Sequence, residues 1–266
     1  MKAEDLKLIV KEKYSEIVKS NDQSSSCYGT SSSCCGTDYT VFSENYQNLQ
    51  GYNPDADYNL GCGIPTEYAQ IKTGDTVVDL GSGAGNDCFV ARALVGETGK
   101  VIGVDMTEAM IAKAKVNNKK LGFDNVEFRL GDIENMPVDA DSVDVVISNC
   151  VLNLVPDKDK AFSEIFRILK PGGHLSVSDV VLRGSLPEKI QYDAEMYAGC
   201  VSGAIDIDLY VGKMKNAGLS NIKVQKEKII TLSDETLLTY FDQVELEKFR
   251  NSGSGIYSIT VFAEKQ

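Results

Sequence analysis

Cysteines and glycines carry most of the chemical possibilities in this chain. There are seven cysteines, Cys27, Cys34, Cys35, Cys62, Cys88, Cys150 and Cys200, and a single histidine, His174. Three of the cysteines have unusual neighbours. Cys62 lies between glycines in Gly61-Cys62-Gly63. Cys150 lies in Ser148-Asn149-Cys150-Val151-Leu152-Asn153-Leu154, and Cys200 in Gly199-Cys200-Val201-Ser202-Gly203-Ala204. None of the three has the C-x-x-C spacing of a zinc ribbon or a thioredoxin-type site. Isolated thiolates gathered by a fold suit a soft, thiophilic centre. One histidine leaves little room for a His-based zinc site or a Ser-His-Asp triad. His174 follows Pro171-Gly172-Gly173 at the start of an expected strand and is read as structural.

The second chemical feature is Asp79-Leu80-Gly81-Ser82-Gly83-Ala84-Gly85. Glycines between a strand and a helix let backbone approach a ligand closely. The spacing is G-x-G-x-G with an acid two residues ahead, not the G-x-G-x-x-G of a dinucleotide fingerprint, and it suits a nucleoside without a pyrophosphate. Asp105 closes the next strand, where a carboxylate can accept from two ribose hydroxyls. Gly131-Asp132-Ile133 ends the third strand and offers a purine one acceptor and one apolar face. Tyr46 and Asn149 are further cofactor candidates, and Met106 packs either on an adenine or on the core.

The elements that must position these residues follow from periodicity. An amphipathic helix is predicted over 3–19, then a Ser-, Asn- and Gly-rich segment over 20–38 with little to bury. Pro65 opens a short helix. Strands are predicted at 76–80, 101–104, 126–129, 143–147 and 174–182, separated by helices at 87–95, 107–121 and 158–169. Beyond residue 183 come helices near 187–198 and 206–217, a strand near 221–231, a helix near 234–249 and a strand near 256–263. Alternating strands and helices imply an α/β fold, a seven-stranded, mostly parallel sheet flanked by helices. The expected organisation is an N-terminal helix and Ser/Cys-rich segment at 1–39, a cofactor-binding domain at 40–182 and a smaller capping region at 183–266 that completes the sheet.

Composition limits the partners. Lys and Arg total 27 against 39 Asp and Glu, a net charge of −12. That disfavours a nucleic-acid binder and a polybasic membrane anchor. The charged N-terminus has no signal-peptide core, and no apolar run approaches the ~20 residues needed to span a bilayer. The expectation is a cytoplasmic protein whose thiols are mostly reduced, since an odd cysteine count does not suggest a disulfide scaffold. Cys88, beside Phe89 and Val90, is read as core.

The glycine loop, Asp105 and Asp132 resemble the class I S-adenosylmethionine-dependent methyltransferases, and the seven-strand tally matches their sheet. Methyl transfer to oxygen, nitrogen or carbon usually needs a general base, and this chain is poor in histidine. Trivalent arsenic bound by three thiolates keeps a lone pair and has no proton to lose. With the three cysteine contexts and Gly103-Val104-Asp105-Met106-Thr107 added, the chain resembles the arsenite S-adenosylmethionine methyltransferase family. The resemblance implies arsenic ligation by Cys62, Cys150 and Cys200, and a further redox-active cysteine at Cys34 or Cys35. It implies S-adenosylmethionine contacts from Asp79, Gly81, Ser82, Gly83, Gly85, Asp105, Met106, Asp132, Ile133 and Asn149. Expected partners are arsenite or its thiol conjugates, with thioredoxin or glutathione as reductant, and the products are mono- and dimethylated arsenicals made in detoxification. Two departures stand out: Asn86 where the family often has Arg, and a chain that ends soon after the last strand. Two rival readings remain open, a methyltransferase acting on carbon or oxygen of a small organic molecule and a non-catalytic metalloid-binding protein.

Overall fold

A computed structural model describes residues 3–24, 43–184, 203–232 and 234–266. Cys27, Cys34, Cys35, Cys200 and the helix expected near 187–198 lie outside the described residues. Short runs rich in Val, Ile and Leu form the strands β1 (Thr76–Leu80), β2 (Lys100–Asp105), β3 (Val126–Leu130) and β4 (Val143–Asn149). β1, β2 and β4 are almost continuously buried, as expected for strands covered on both faces. β5 (Leu169–Arg183), β6 (Ser220–Ile230) and β7 (Gly255–Glu264) complete one seven-stranded sheet in the order β3-β2-β1-β4-β5-β7-β6. The first five strands pair in parallel, and β7 runs antiparallel to both β5 and β6.

Among the described residues there are seven α-helices, and the short helix expected at Pro65 is a 3-10 turn over Pro65–Glu67. α1 (Ala3–Ser24), α2 (Asn86–Val95) and α3 (Glu108–Leu121) belong to one layer, whose core includes Cys88, Phe89 and Phe128. α4 (Lys158–Ile168) and α5 (Ile207–Asn216) pack together on the other face, where Phe162 meets Tyr210 edge to face at 5.3 Å. α6 (Asp234–Leu238) and α7 (Gln243–Asn251) pack against each other. Among the described residues no helix is long and apolar enough to cross a membrane.

Three boundaries differ from the sequence expectation. α1 runs on to Ser24, because a helix already nucleated over its amphipathic part propagates through polar residues at small cost. The helix expected over 234–249 is two helices. Asp242 caps the second through a capping box with Glu245, and that D-x-x-E pattern was the missed signal. β5 starts at Leu169, ahead of Pro171-Gly172-Gly173. The glycines fall in a bulge that shifts the register from Leu169 opposite Val143 to His174 opposite Val145. His174 itself contacts Ala69 O at 2.6 Å and lies against Phe262, in keeping with a structural role.

Strand order reverses direction between β1 and β4. Crevices at such a switch point open beyond the carboxyl ends of the strands. The glycine loop, Asp105, Asp132 and Cys150 each follow or close one of these ends.

Candidate functional site

Four strand ends build one cavity. Gly81 N–H and Ser82 N–H both donate to Val104 O, at 2.7 and 3.1 Å, and tie the glycine loop to β2. Asp105 then accepts from Gly83 N at 2.9 Å and Thr107 N at 2.7 Å, joining the loop to the start of α3. Gly131 N–H donates to Asp105 O at 2.9 Å and brings in the end of β3. Asp79, Gly81, Ser82, Gly83, Asp105, Met106, Asp132, Ile133, Asn149 and Cys150 all line this cavity. Gly85, at φ 100, caps the start of α2 instead and is not among the lining residues.

Gly81 is required twice over. Its φ is 65, and a Cβ there would stand 2.4 and 2.6 Å from the methyls of Val151, the residue after Cys150. The glycine loop and the loop that carries Cys150 therefore touch through a glycine.

The floor of the cavity is acidic and buried. Burial pushes Asp79 well above the usual carboxylate range, and the nearby Asp87 adds to the effect. Asp87 is pushed up to about 6 by burial, although Tyr46 and Asn149 donate to it. Asp105 is also raised by burial, against the pull of the Thr107 and Gly83 N–H groups. The Cys88 thiol donates to Asp79 at 3.2 Å and is pushed up by burial and by that carboxylate. Cys88 is thus a core residue whose thiol is also a hydrogen-bond donor to the cavity floor. A set of acids held above their ordinary range favours a cationic ligand, which restores the charge that burial disfavours. Ser82 Oγ and Asn86 Oδ1 are buried without a hydrogen-bond partner among the described residues, and both residues line the cavity. Orphaned polar atoms on a cavity wall fit a polar ligand that supplies their partners. The residues present therefore fit a nucleoside-type cofactor with a positive centre.

Gly61-Cys62-Gly63 crosses the carboxyl end of β4 and the paired strands β5 and β7. Cys62 N–H donates to Asn149 Oδ1 at 3.0 Å, and Asn149 Nδ2 donates back to Gly63 O at 2.9 Å. The same Nδ2 lies 2.8 Å from the Tyr46 hydroxyl and 3.2 Å from Asp87 Oδ2. Ser258 Oγ donates to Cys62 O, and Ser176 Oγ donates to Pro65 O at 2.8 Å. Ser178 Oγ pairs with Thr260 Oγ1 at 2.9 Å, beneath Gly63. Small hydroxyls at alternate positions of β5 and β7 thus hold an irregular segment against the sheet. Cys62 is completely buried. Cys150, 3% exposed, shares its cluster with Cys62, Leu154, Val180 and Leu182. Cys150 itself sits at φ 59, an uncommon conformation for a side-chain-bearing residue, and its N–H donates to Ser178 O at 2.7 Å.

A family model described as "Methyltransferase domain" matches residues 71–235. The chain belongs to the methyltransferase domain family. Within this family it is similar to the arsenite methyltransferase of Halobacterium salinarum, 42% identical over 233 residues, covering 83% of this chain and 59% of that protein. It is similar to the arsenite methyltransferase of Aquipseudomonas alcaligenes, 37% identical over 66% of this chain and 53% of that protein. The chain therefore spans little more than half the length of these two curated relatives. Among solved structures, the arsenic(III) S-adenosylmethionine methyltransferase of Chlamydomonas reinhardtii is 34% identical, with a TM-score of 0.65 over 77% of this chain and 67% of that one.

Part of this cavity is not legible in the sequence. Lys7, Val10 and Tyr14 of α1 line the cavity, so the N-terminal helix covers it in this structure. Lys7 Nζ pairs with Asp132 and Glu134, each at 2.7 Å. Burial opposes the charge on Lys7, yet the two carboxylates outweigh it and hold the ammonium above its usual range. Asp87 was also missed. An acid in the first turn of a helix is ordinarily a dipole partner, and nothing local distinguishes it from one that faces a ligand. Among the described residues no group of three or more His, Cys, Asp or Glu is arranged to hold a metal ion.

Proposed function

We propose that this protein methylates trivalent arsenic, using S-adenosylmethionine as donor and the thiols of Cys62, Cys150 and Cys200 to hold the substrate. The observation that carries the reading is the juxtaposition of Cys62 and Cys150 in one buried apolar cluster, with Cys150 on the wall of the acid-floored cavity. Similarity to arsenite methyltransferases of two organisms supports it.

Each residue has a task in this reading. Three thiols condense with arsenite, each thiol proton leaving with an arsenite hydroxyl as water, so that no net proton is released. Asp105, Asp132 and Ile133 hold the nucleoside, and the glycine loop supplies backbone contact. Asp79 and Asp87 favour the cationic end of the cofactor. When bound, S-adenosylmethionine supplies a methyl group on a sulfonium, an electrophile that an arsenic lone pair accepts without loss of a proton. His174, held at Ala69 O, is not among the residues that line the cavity and takes no part in this reading. The apolar neighbours of the thiols, Leu154, Val180 and Leu182, exclude water and align the reactants. A protein thiol pair, drawing on Cys34 or Cys35, returns the methylated arsenic to the trivalent state as it forms a disulfide. Thioredoxin or glutathione then reduces that disulfide in a cytoplasmic setting. Repetition gives mono- and dimethylated products.

The test is incubation with arsenite, S-adenosylmethionine and a thiol reductant, followed by arsenic speciation. Cys62→Ser and Cys150→Ser are expected to lower methylarsenical formation by about a hundredfold or more, since each removes a ligand of the substrate. Full activity in either variant overturns the reading. Stoichiometric arsenite binding without formation of S-adenosylhomocysteine identifies a binding protein instead. Methylation of a small organic acceptor that survives both substitutions identifies an ordinary carbon or oxygen methyltransferase.

A further inference from the structure

Asn149 occupies an unusual position. Through the chain it is the immediate neighbour of Cys150. Through its side chain it grips Cys62 from both sides, accepting from Cys62 N–H at 3.0 Å and donating to Gly63 O at 2.9 Å. A carboxamide is the side chain that can do both at once, since it carries an acceptor and two donors in one plane. The grip is close. A Cβ at Gly61 would stand 2.4 Å from Asn149 Nδ2, and one at Gly63 would stand 2.5 Å from Ser178 Oγ. The glycines on either side of Cys62 are therefore the space that Asn149 and β5 need. The amide is in turn fixed from behind by the Tyr46 hydroxyl at 2.8 Å, which itself lies 2.8 Å from Asp87 Oδ1.

We propose that Asn149 is a positioning residue that sets the two thiols Cys62 and Cys150 in register. Its side chain holds the first cysteine's backbone while its own peptide carries the second, so that the pair is presented to a trivalent arsenical as one preformed bidentate ligand. The sequence resemblance assigned Asn149 to the cofactor. Its hydrogen bonds to Cys62 N–H and Gly63 O tie it to the backbone that carries the first thiol, while its contacts with Tyr46 and Asp87 keep it on the cavity wall. The proposal rests on the arsenic reading of these cysteines. It adds that pre-organisation of the pair, and not the thiols alone, sets the affinity.

The probe is phenylarsine oxide, which joins two thiols with loss of one water. It is titrated into the full chain carrying Cys27→Ser, Cys34→Ser, Cys35→Ser and Cys200→Ser. The readouts are arsenic–sulfur absorbance and peptide mapping of the adduct, alongside S-adenosylmethionine affinity and the thermal midpoint. The reference protein is expected to yield a Cys62–Cys150 bridge. Asn149→Ala is expected to weaken that binding by about tenfold or more, as loss of two hydrogen bonds would. The amide also donates to Asp87, so cofactor affinity should fall as well but by less than arsenical affinity, an unequal split that general loss of structure would not produce. Unchanged affinity for the arsenical in folded Asn149→Ala overturns the proposal. So does a loss confined to cofactor affinity, which would make Asn149 a cofactor ligand. If Asn149→Ala does not fold, Tyr46→Phe decides. Loss of the hydroxyl behind the amide should weaken arsenical binding about threefold, and no change overturns the proposal. Absence of a Cys62–Cys150 bridge in the reference protein is a separate result. It appears before Asn149 is altered, and it removes the arsenic reading together with this inference.

Discussion

The ends of β1, β2 and β3 and the ends of β4, β5 and β7 solve opposite problems with the same strand geometry. On the first side, backbone lines the cavity. Ser82 Oγ and Asn86 Oδ1 are left without partners among the described residues, and three buried acids are held above their usual range. On the second side, the segment carrying Cys62 is held by a carboxamide and by the hydroxyls of Ser176 and Ser258. The first region stores unsatisfied polarity that a ligand relieves. The second spends its polar groups on shaping a buried apolar corner that holds Cys62 and Cys150. Recognition of a charged cofactor calls for desolvated charge, whereas capture of a soft centre calls for thiols fixed in place.

The two regions meet at Gly81 and Val151, and the largest expected effect lies there. Gly81→Ala places a methyl within 2.6 Å of Val151 at a positive φ. The strain and overpacking together are worth ~2–4 kcal/mol. We expect calorimetric titration to show S-adenosylmethionine binding weakened by about a hundredfold, with arsenical binding weakened as well. Val151→Ala in the same chain should recover part of both losses, giving a non-additive cycle. If the cycle is additive, the glycine serves the cofactor loop alone and the regions are independent.

Acidity sharpens the same contrast with a smaller effect. Asp87 titrates near 6 in the ligand-free protein against an ordinary 3.8. A cationic ligand favours the ionised form, so binding releases a proton below that pH. Through Asp87, cofactor affinity should therefore fall by about tenfold for each unit of pH below 6. Stability of the ligand-free protein must move the other way. The folded state holds this proton more tightly than the unfolded chain, so the thermal midpoint should rise as pH falls from about 7 towards 5. Asp87→Asn should flatten both trends. An affinity independent of pH between 5 and 7 would show that the acidic floor does not face the cofactor's charge. Capture of arsenicals at the thiol corner is expected to lack this dependence.

The unequal construction of the two regions also decides how much of each was legible. The cavity side is written in contiguous motifs, because each strand-end residue that lines it lies directly after its own strand. Asp79 to Gly83, Asp105 and Asp132 were readable for that reason, and the seven-stranded sheet followed from alternating apolar runs. The thiol side is assembled from residues far apart in the chain, with Asn149 reaching Cys62 across 87 positions and Ser258 reaching it across 196. Each cysteine was visible, but not the clamp that joins two of them. A trace existed in the alternation Ser176-x-Ser178 and Ser258-x-Thr260, where hydroxyls take places that a buried strand would give to aliphatic residues. The covering helix was hidden for a different reason. α1 was recognisable as amphipathic, yet periodicity states that a face is buried and not what it is buried against.

That helix supplies the smallest expected effect. Lys7 joins α1 to the cofactor side through Asp132 and Glu134, both at 2.7 Å. Asp132 was assigned to the nucleoside from sequence, so its carboxylate has two claimants. The oxygens have room for both, since Lys7 takes one position on Oδ2 and Glu134 N–H one on Oδ1, and each ionised oxygen accepts twice. Lys7 then acts as a latch that holds the cover down and not as a competitor. Lys7→Ala should weaken cofactor binding about twofold to threefold, mainly by faster dissociation, and the difference should shrink in high salt because partly exposed pairs are screened. Stopped-flow dissociation at two ionic strengths measures it. Tighter binding in the variant would mean that the ammonium and the nucleoside compete for one carboxylate. α1 would then be displaced from Asp132 by the cofactor and would not close over it.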